Sequence, residues 1–167
     1  MSGQRRNCYK NSVERLDVLV YVIIATMLVV AGCSRNRQET SSYINLPDKL
    51  WAYGDTLAFP IVVPDSVADG NLIVALDHSD SYKYKNLWIE ISYIDGAHGY
   101  EQRDSLEIFF SDESGAWLGK GIASNYQLET VPVQITLDTR RPITIRHIMR
   151  TDTLRDINRV GVFFNTY

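Results

Sequence analysis

In the stretch Leu87-Trp88-Ile89-Glu90-Ile91-Ser92-Tyr93, the residues Leu87, Ile89, Ile91 and Tyr93 share one parity. That period of two fits a β-strand with one buried face and does not fit an α-helix. The same period recurs in Leu57-Phe59-Ile61-Val63, Leu72-Val74-Leu76, Leu106-Ile108-Phe110, Val133-Ile135-Leu137, Ile143-Ile145 and Val160-Val162-Phe164. Seven or eight strands are expected, each turning one face to a common core. Turn formers separate them: Pro64-Asp65-Ser66, Asp69-Gly70-Asn71, Asp77-His78-Ser79-Asp80, Asp95-Gly96 and Asp112-Glu113-Ser114-Gly115. With no βαβ alternation among them, the implied fold is all-β, an antiparallel two-sheet β-sandwich. Jelly-roll connectivity is one option for its strand order.

Ahead of this region lies a segment of a different kind. Val18 to Gly32 is an apolar run preceded by Arg5, Arg6, Lys10 and Arg15, with Glu14 and Asp17 diluting the charge, and it closes on Val30-Ala31-Gly32-Cys33. A basic entry region, an apolar stretch and small residues before a cysteine match a lipoprotein signal peptide at its cleavage site. As a helix the run spans about 22 Å, short of the roughly 30 Å hydrocarbon core, so a transmembrane anchor is the weaker reading. The chain then divides into residues 1–32 as signal, 33–42 as lipidated cysteine and polar tether, and 43–167 as the β-sandwich domain. Cys33 would carry diacylglycerol and a fatty-acyl group such as palmitate. Each buried CH₂ contributes about 0.8 kcal/mol to anchoring.

Cleavage before Cys33 leaves 135 residues, enough for one domain with a real core. Cys8 departs with the signal, so an acylated mature chain has no thiol left for a disulfide. The mature part keeps 13 basic against 18 acidic residues, and nucleic acid is not an expected partner. It also lacks a basic stripe that would draw it to anionic lipid, which leaves Cys33 as the expected membrane attachment. Arg140, Arg141, Arg146, Arg150, Arg155 and Arg159 make the last third loosely basic. They read as a solvated face paired locally with Asp152 and Asp156, or else as a docking face.

The residues do not compose an active site. His78, His98 and His147 are far apart in sequence, with no spacing that presents two imidazoles to one zinc ion. His147 falls in phase with Ile143, Ile145 and Met149 and is expected to pack with a satisfied ring nitrogen; His78 is expected in a turn, hydrogen-bonded locally. Asp77 to Asp80 and Asp112 to Ser114 lack the alternating ligands and closing Glu of a calcium loop, and read as turn chemistry. No GxSxG elbow is present. Gly115 to Gly121 misses the phosphate-loop spacing and reads as a glycine-flanked hairpin or bulge with Trp117 turned inward. The expectation is a noncatalytic protein without metal or cofactor.

Aromatic residues carry the binding argument. Tyr82, Tyr84, Trp88 and Tyr93 cluster in sequence, and flat rings on a sandwich can stack on sugars or anchor a protein. Trp88 and Tyr93 have opposite parity, so at least one belongs to the core. Tyr82 and Tyr84 precede the strand and are expected to be the exposed pair.

Several segments resemble the gliding-motility lipoprotein family, GldH, of the Bacteroidetes. They are Trp51 with Asp55-Thr56 and Phe59; His78 to Ile89; Asp104 to Glu107; Gly115-Ala116-Trp117-Leu118-Gly119-Lys120-Gly121; and Ile145 to Val162 with its Met149-Arg150-Thr151-Asp152 stretch. The resemblance spans roughly Tyr43 to Val162. It departs where the family often has glycine before the isoleucine of its last strand, since Asp156 precedes Ile157 here. The segment after Cys33 also lacks the acidic run that resembles a surface-export tag. The resemblance implies a lipid-anchored envelope component, most naturally on the outer membrane facing the periplasm. Its partners would be envelope proteins of the gliding and type IX secretion machinery, and it has no catalytic residues to transfer. The alternative is a glycan-binding lipoprotein using Tyr82, Tyr84 or Trp88. Glycan binding expects aromatic residues exposed in a row or cleft, and an assembly role expects a buried Trp88.

Overall fold

The computed structural model describes residues 38–167. The segment expected to be a signal peptide, Cys33 and the first part of the expected tether lie outside the described residues. The twelve strands are β1 (Glu39–Asn45), β2 (Leu50–Ala52), β3 (Leu57–Phe59), β4 (Val67–Ser79), β5 (Asn86–Ile94) and β6 (Glu101–Phe109), followed by β7 (Lys120–Ile122), β8 (Asn125–Glu129), β9 (Val133–Asp138), β10 (Ile143–His147), β11 (Thr153–Arg155) and β12 (Ile157–Thr166). One turn of 3-10 helix, Pro47–Lys49, links β1 to β2.

Every pairing is antiparallel, and the main pairs are nested. β5 pairs β6, β4 pairs β9, β3 pairs β10, β2 pairs β11 and β1 pairs β12. This is one long hairpin, with its tip at the β5–β6 turn, wound back on itself so that β2 and β11 form a two-stranded ribbon and the other strands fall into two larger sheets. One sheet runs β1-β12-β4 and continues with β9 and with β8-β7; the other runs β3-β10-β5-β6. That is jelly-roll connectivity, which the sequence left as one option. The β7–β8 hairpin is an insertion between β6 and β9. It takes the half of the β4 edge from Ala75 to Ser79, and β9 takes Val67 to Leu72.

The period-two residues fill the space between the sheets. Leu72, Val74 and Leu76 of β4 and Val160, Val162 and Phe164 of β12 meet Leu87, Ile89 and Ile91 of β5 and Ile143 and Ile145 of β10. Each such side chain stabilises the fold by about 1.5–3 kcal/mol on burial. Trp51 and Leu154, paired across the β2–β11 ribbon, are fully buried in the same core.

Several expected turns are strand instead. β4 runs unbroken through Asp69-Gly70-Asn71 and through Asp77-His78-Ser79. A Cβ on Gly70 would come within 2.7 Å of the Phe164 ring, so the glycine admits that ring to the core rather than marking a turn. Asp69 is held in the strand by a hydrogen bond from the Thr136 hydroxyl, 2.6 Å long. β1 begins at Glu39, inside the span read as tether. Its Thr and Ser side chains carry no apolar signal, and the strand is fixed by its ladder to β12. Asp156, where the family often has glycine, holds φ at 69°, a left-handed backbone that glycine adopts without strain. Its carbonyl accepts the Ser79 amide at 2.9 Å and its carboxylate accepts the Ser79 hydroxyl at 3.0 Å.

Candidate functional site

Parity decides which way β5 presents its aromatic residue. With Leu87, Ile89 and Ile91 turned to the core, Trp88 stands on the outer face, 38% exposed, while Tyr93 packs half-buried against the core. The chain leaving β10 then runs beside Trp88. The Ile148 amide donates to the Trp88 carbonyl at 2.9 Å, and the Trp88 amide donates to the thioether of Met149 at 3.3 Å. A sulfur thus takes the place of the next carbonyl in the ladder, and the β10 chain swings away from β5.

The divergence opens a groove of about 460 Å³ lined by Tyr84, Asn86, Trp88, Ile148, Met149, Arg150 and Thr151. Tyr84 is 40% exposed at one wall. Its ring stands edge-on to Tyr82, 5.6 Å between centroids. The polar groups of the groove are largely engaged within the protein. The Asn86 amide donates to Glu107 at 2.5 Å, and the Thr151 hydroxyl reaches the Thr153 carbonyl at 3.5 Å. Arg150 is exposed and makes no ion pair among the described residues.

Tyr82 is not part of this surface. It is 4% exposed, its hydroxyl donates to the Asn86 carbonyl at 3.2 Å, and burial pushes its phenol well above the ordinary value. The exposed pair is Tyr84 with Trp88, not Tyr82 with Tyr84. The expectation that an assembly role would bury Trp88 also fails, because the indole lines an open groove.

The histidines do not converge. His78 lies on β4 in phase with Leu72, Val74 and Leu76, fully buried and stacked on Phe110 at 4.5 Å and 4°, with Trp117 edge-on at 4.8 Å. Its Nδ1 contacts the Ser79 carbonyl at 2.9 Å, so the local bond is present although the turn is not. His147 is equally buried, edge-on to Trp51 at 5.4 Å and to Tyr53 at 5.6 Å. Neither of its ring nitrogens has a hydrogen-bond partner of good geometry, contrary to the expected satisfied ring. Burial lowers the pKa of both histidines, and backbone contacts oppose it in part. His98 sits in an exposed turn against Asp95.

No cluster of three metal-ligating side chains occurs among the described residues. Asp112 shows turn chemistry, accepting from the Ser114 hydroxyl at 2.6 Å and the Ala116 amide at 3.0 Å, which hold its carboxyl below the usual range. The basic residues pair with other acids than expected: Arg140 with Asp138, Arg146 with Glu90 and Arg159 with Asp77, rather than with Asp152 and Asp156. Trp117 does turn inward, and a Cβ on Gly119, at φ 88°, would strike the Gln127 carbonyl.

Fold and site together define a jelly-roll β-sandwich domain with an aromatic groove on the outer face of β5. The sequence model of the GldH lipoprotein family matches residues 38–163, and the chain belongs to that family. Membership makes it a gliding-motility-associated lipoprotein and places it among lipid-anchored envelope proteins; the family is not a known enzyme family. Comparison with curated proteins gives no match. Among solved structures, dimeric latent PorU from Porphyromonas gingivalis aligns at TM-score 0.36 and 11% identity, over 81% of this chain and 13% of that one. The VP2 subviral particle of infectious bursal disease virus aligns at TM-score 0.37 and 12% identity, over 80% of this chain and 33% of that one.

Proposed function

We propose that this lipoprotein is a noncatalytic envelope component, anchored through Cys33 to the outer membrane and facing the periplasm. It supports the gliding or type IX secretion machinery by holding a protein partner in the Tyr84–Trp88–Met149 groove. The observation that carries this reading is the makeup of the groove. Trp, Tyr and Arg are the residues that dominate binding energy in protein interfaces, and Met adapts to varied partner side chains. A buried Trp88 is not required for such a role, since an anchor for a partner must be open before the partner arrives.

Glycan binding is the second reading, favoured by the exposure of Tyr84 and Trp88 in one cleft. Sugar hydroxyls, however, need donors and acceptors, and the Asn86 amide, the Thr151 hydroxyl and the Trp88 amide spend their donors within the protein, which leaves Arg150, among the described residues, as the groove's one charged donor for a sugar. Apolar side chains of a protein segment need none of them.

The test is mild crosslinking of the full-length protein in its own envelope, with Trp88→Ala and Cys33→Ala controls and mass spectrometry of the captured material. Recovery of gliding or type IX secretion components, lost in Trp88→Ala and reduced in Cys33→Ala, is expected. Polysaccharide in place of protein, lost in Trp88→Ala, would move the assignment to glycan binding.

A further inference from the structure

The free edge of β1 differs from the other sheet edges among the described residues. β3 is three residues long and is followed by Pro60, and β7 is also three residues long. β6 is long but carries Glu101, Arg103, Asp104 and Glu107. β9 is covered by the β5–β6 turn, where the Gly96 amide donates to the Thr136 carbonyl at 2.9 Å. Short length, proline, charge and a covering turn are the devices that keep an edge from pairing with another chain. β1 has seven residues, a single charge at Glu39, and none of these devices.

Its register shows which groups are free. The Thr166 amide donates to Gln38 and the Leu46 amide to Asn158, so the even-numbered residues of β1 exchange hydrogen bonds with β12. The amides and carbonyls of Glu39, Ser41, Tyr43 and Asn45 therefore point away from the sheet, and no backbone hydrogen bond reaches them among the described residues. The Thr40 hydroxyl meets the Val62 carbonyl at 3.1 Å on the inner side and leaves those groups open.

We propose that β1 pairs antiparallel with β1 of a second copy of this chain, about a two-fold axis at Ser42. That register uses every free group: Glu39 faces Asn45 of the other copy and Ser41 faces Tyr43, each as a hydrogen-bonded pair. No two like charges oppose, and each large ring lies across from a small side chain. A closed isologous pair also leaves neither β1 edge exposed, and it joins the two copies' β1 sheets into one. This assignment is independent of what the groove binds.

Ser41→Pro separates this from other contacts, because the Ser41 amide is not used by β12 and proline is tolerated on an edge strand. Sedimentation of the full-length chain in density-matched detergent is expected to give two copies per particle. Ser41→Pro should give one copy with cooperative unfolding retained. Amide exchange at Ser41 and Tyr43 gives a reading without any substitution, slow at high protein concentration and fast on dilution. The proposal is overturned by a single copy with fast exchange at every concentration, by a pair that survives in a folded Ser41→Pro variant, or by occupancy of this edge by a different protein.

Discussion

The outer face of β5 and β10 has two halves built on one ladder, and they are finished differently. Toward the Ser92 end, Glu90, Ser92, Glu101, Arg103, Thr144 and Arg146 line a shallow polar hollow. There Arg146 grips both carboxylate oxygens of Glu90, at 2.8 and 3.1 Å, and Arg103 grips Glu101. Two residues from Glu90 along the same strand, Trp88 opens onto the groove with Tyr84, Met149 and Arg150. The first half satisfies its own charges and has no need of a partner. The second leaves a large ring, an adaptable thioether and a cation facing solvent. A surface that closes on itself reads as structure, and one left open on the same sheet reads as a binding site.

The comparison can be broken most severely at Trp88. Trp88→Ala is expected to weaken partner capture by about thirtyfold, the cost of a typical interface hot spot of about 2 kcal/mol. Stability should change by less than about 1 kcal/mol, because the indole is more than one-third exposed. Thermal unfolding run beside a quantitative capture assay checks both, and a large stability loss with unchanged capture would make Trp88 a structural residue.

The next effect comes from the interior. Burial lowers the pKa of His78 and His147, so each takes up its proton at lower pH in the fold than in the unfolded chain, where it does so near pH 6.5. Their cost is absent above about pH 6.5. It grows as pH falls below that value, by up to about 1.4 kcal/mol per pH unit for each ring. Denaturant unfolding at pH 7.5 and pH 5.5 is expected to show the loss, and a His78→Phe, His147→Phe double variant should flatten it. An unchanged slope in the double variant would place the acid sensitivity elsewhere.

The smallest effect belongs to the polar half. The hydrogen bond from Arg146 holds the Glu90 carboxyl below its ordinary value, so its contribution is present above the unfolded carboxylate pKa of about 4.3 and is lost as pH falls through the folded value. For a partly exposed pair, Glu90→Gln should lower the unfolding temperature by only about a degree or two at neutral pH, with the difference vanishing in acid. Partner capture should be unaffected.

The sequence made the core strands readable wherever one face is apolar, as in Leu87-Ile89-Ile91 and Val160-Val162-Phe164. It also placed Trp88 and Tyr93 on opposite faces, and the structure turns Trp88 outward. His78 was misplaced although it continues the parity of Leu72, Val74 and Leu76, because Asp77 and Asp80 around it suggested a turn. β1 and the β7–β8 hairpin were missed because each turns only one or two apolar side chains inward, Ile44 in β1 and Tyr126 with Leu128 in β8, too few to make a period. Tyr82 was expected outside, and the packing of its ring on Phe110, 5.0 Å between centroids, is a tertiary fact without a sequence signal. Met149 on the second wall of the groove lies 61 residues beyond Trp88 on the first, and only the register of β10 on β5 brings them together.

The most direct test of the central claim places a photo-crosslinking side chain at position 84, in the groove, and separately at position 92, in the polar half, of the full-length protein in its native envelope. A protein adduct from position 84, identified as a component of the gliding or type IX secretion machinery, with none from position 92, is the predicted result. Equal labelling from both positions, or no protein adduct at position 84, would contradict the groove as the partner site.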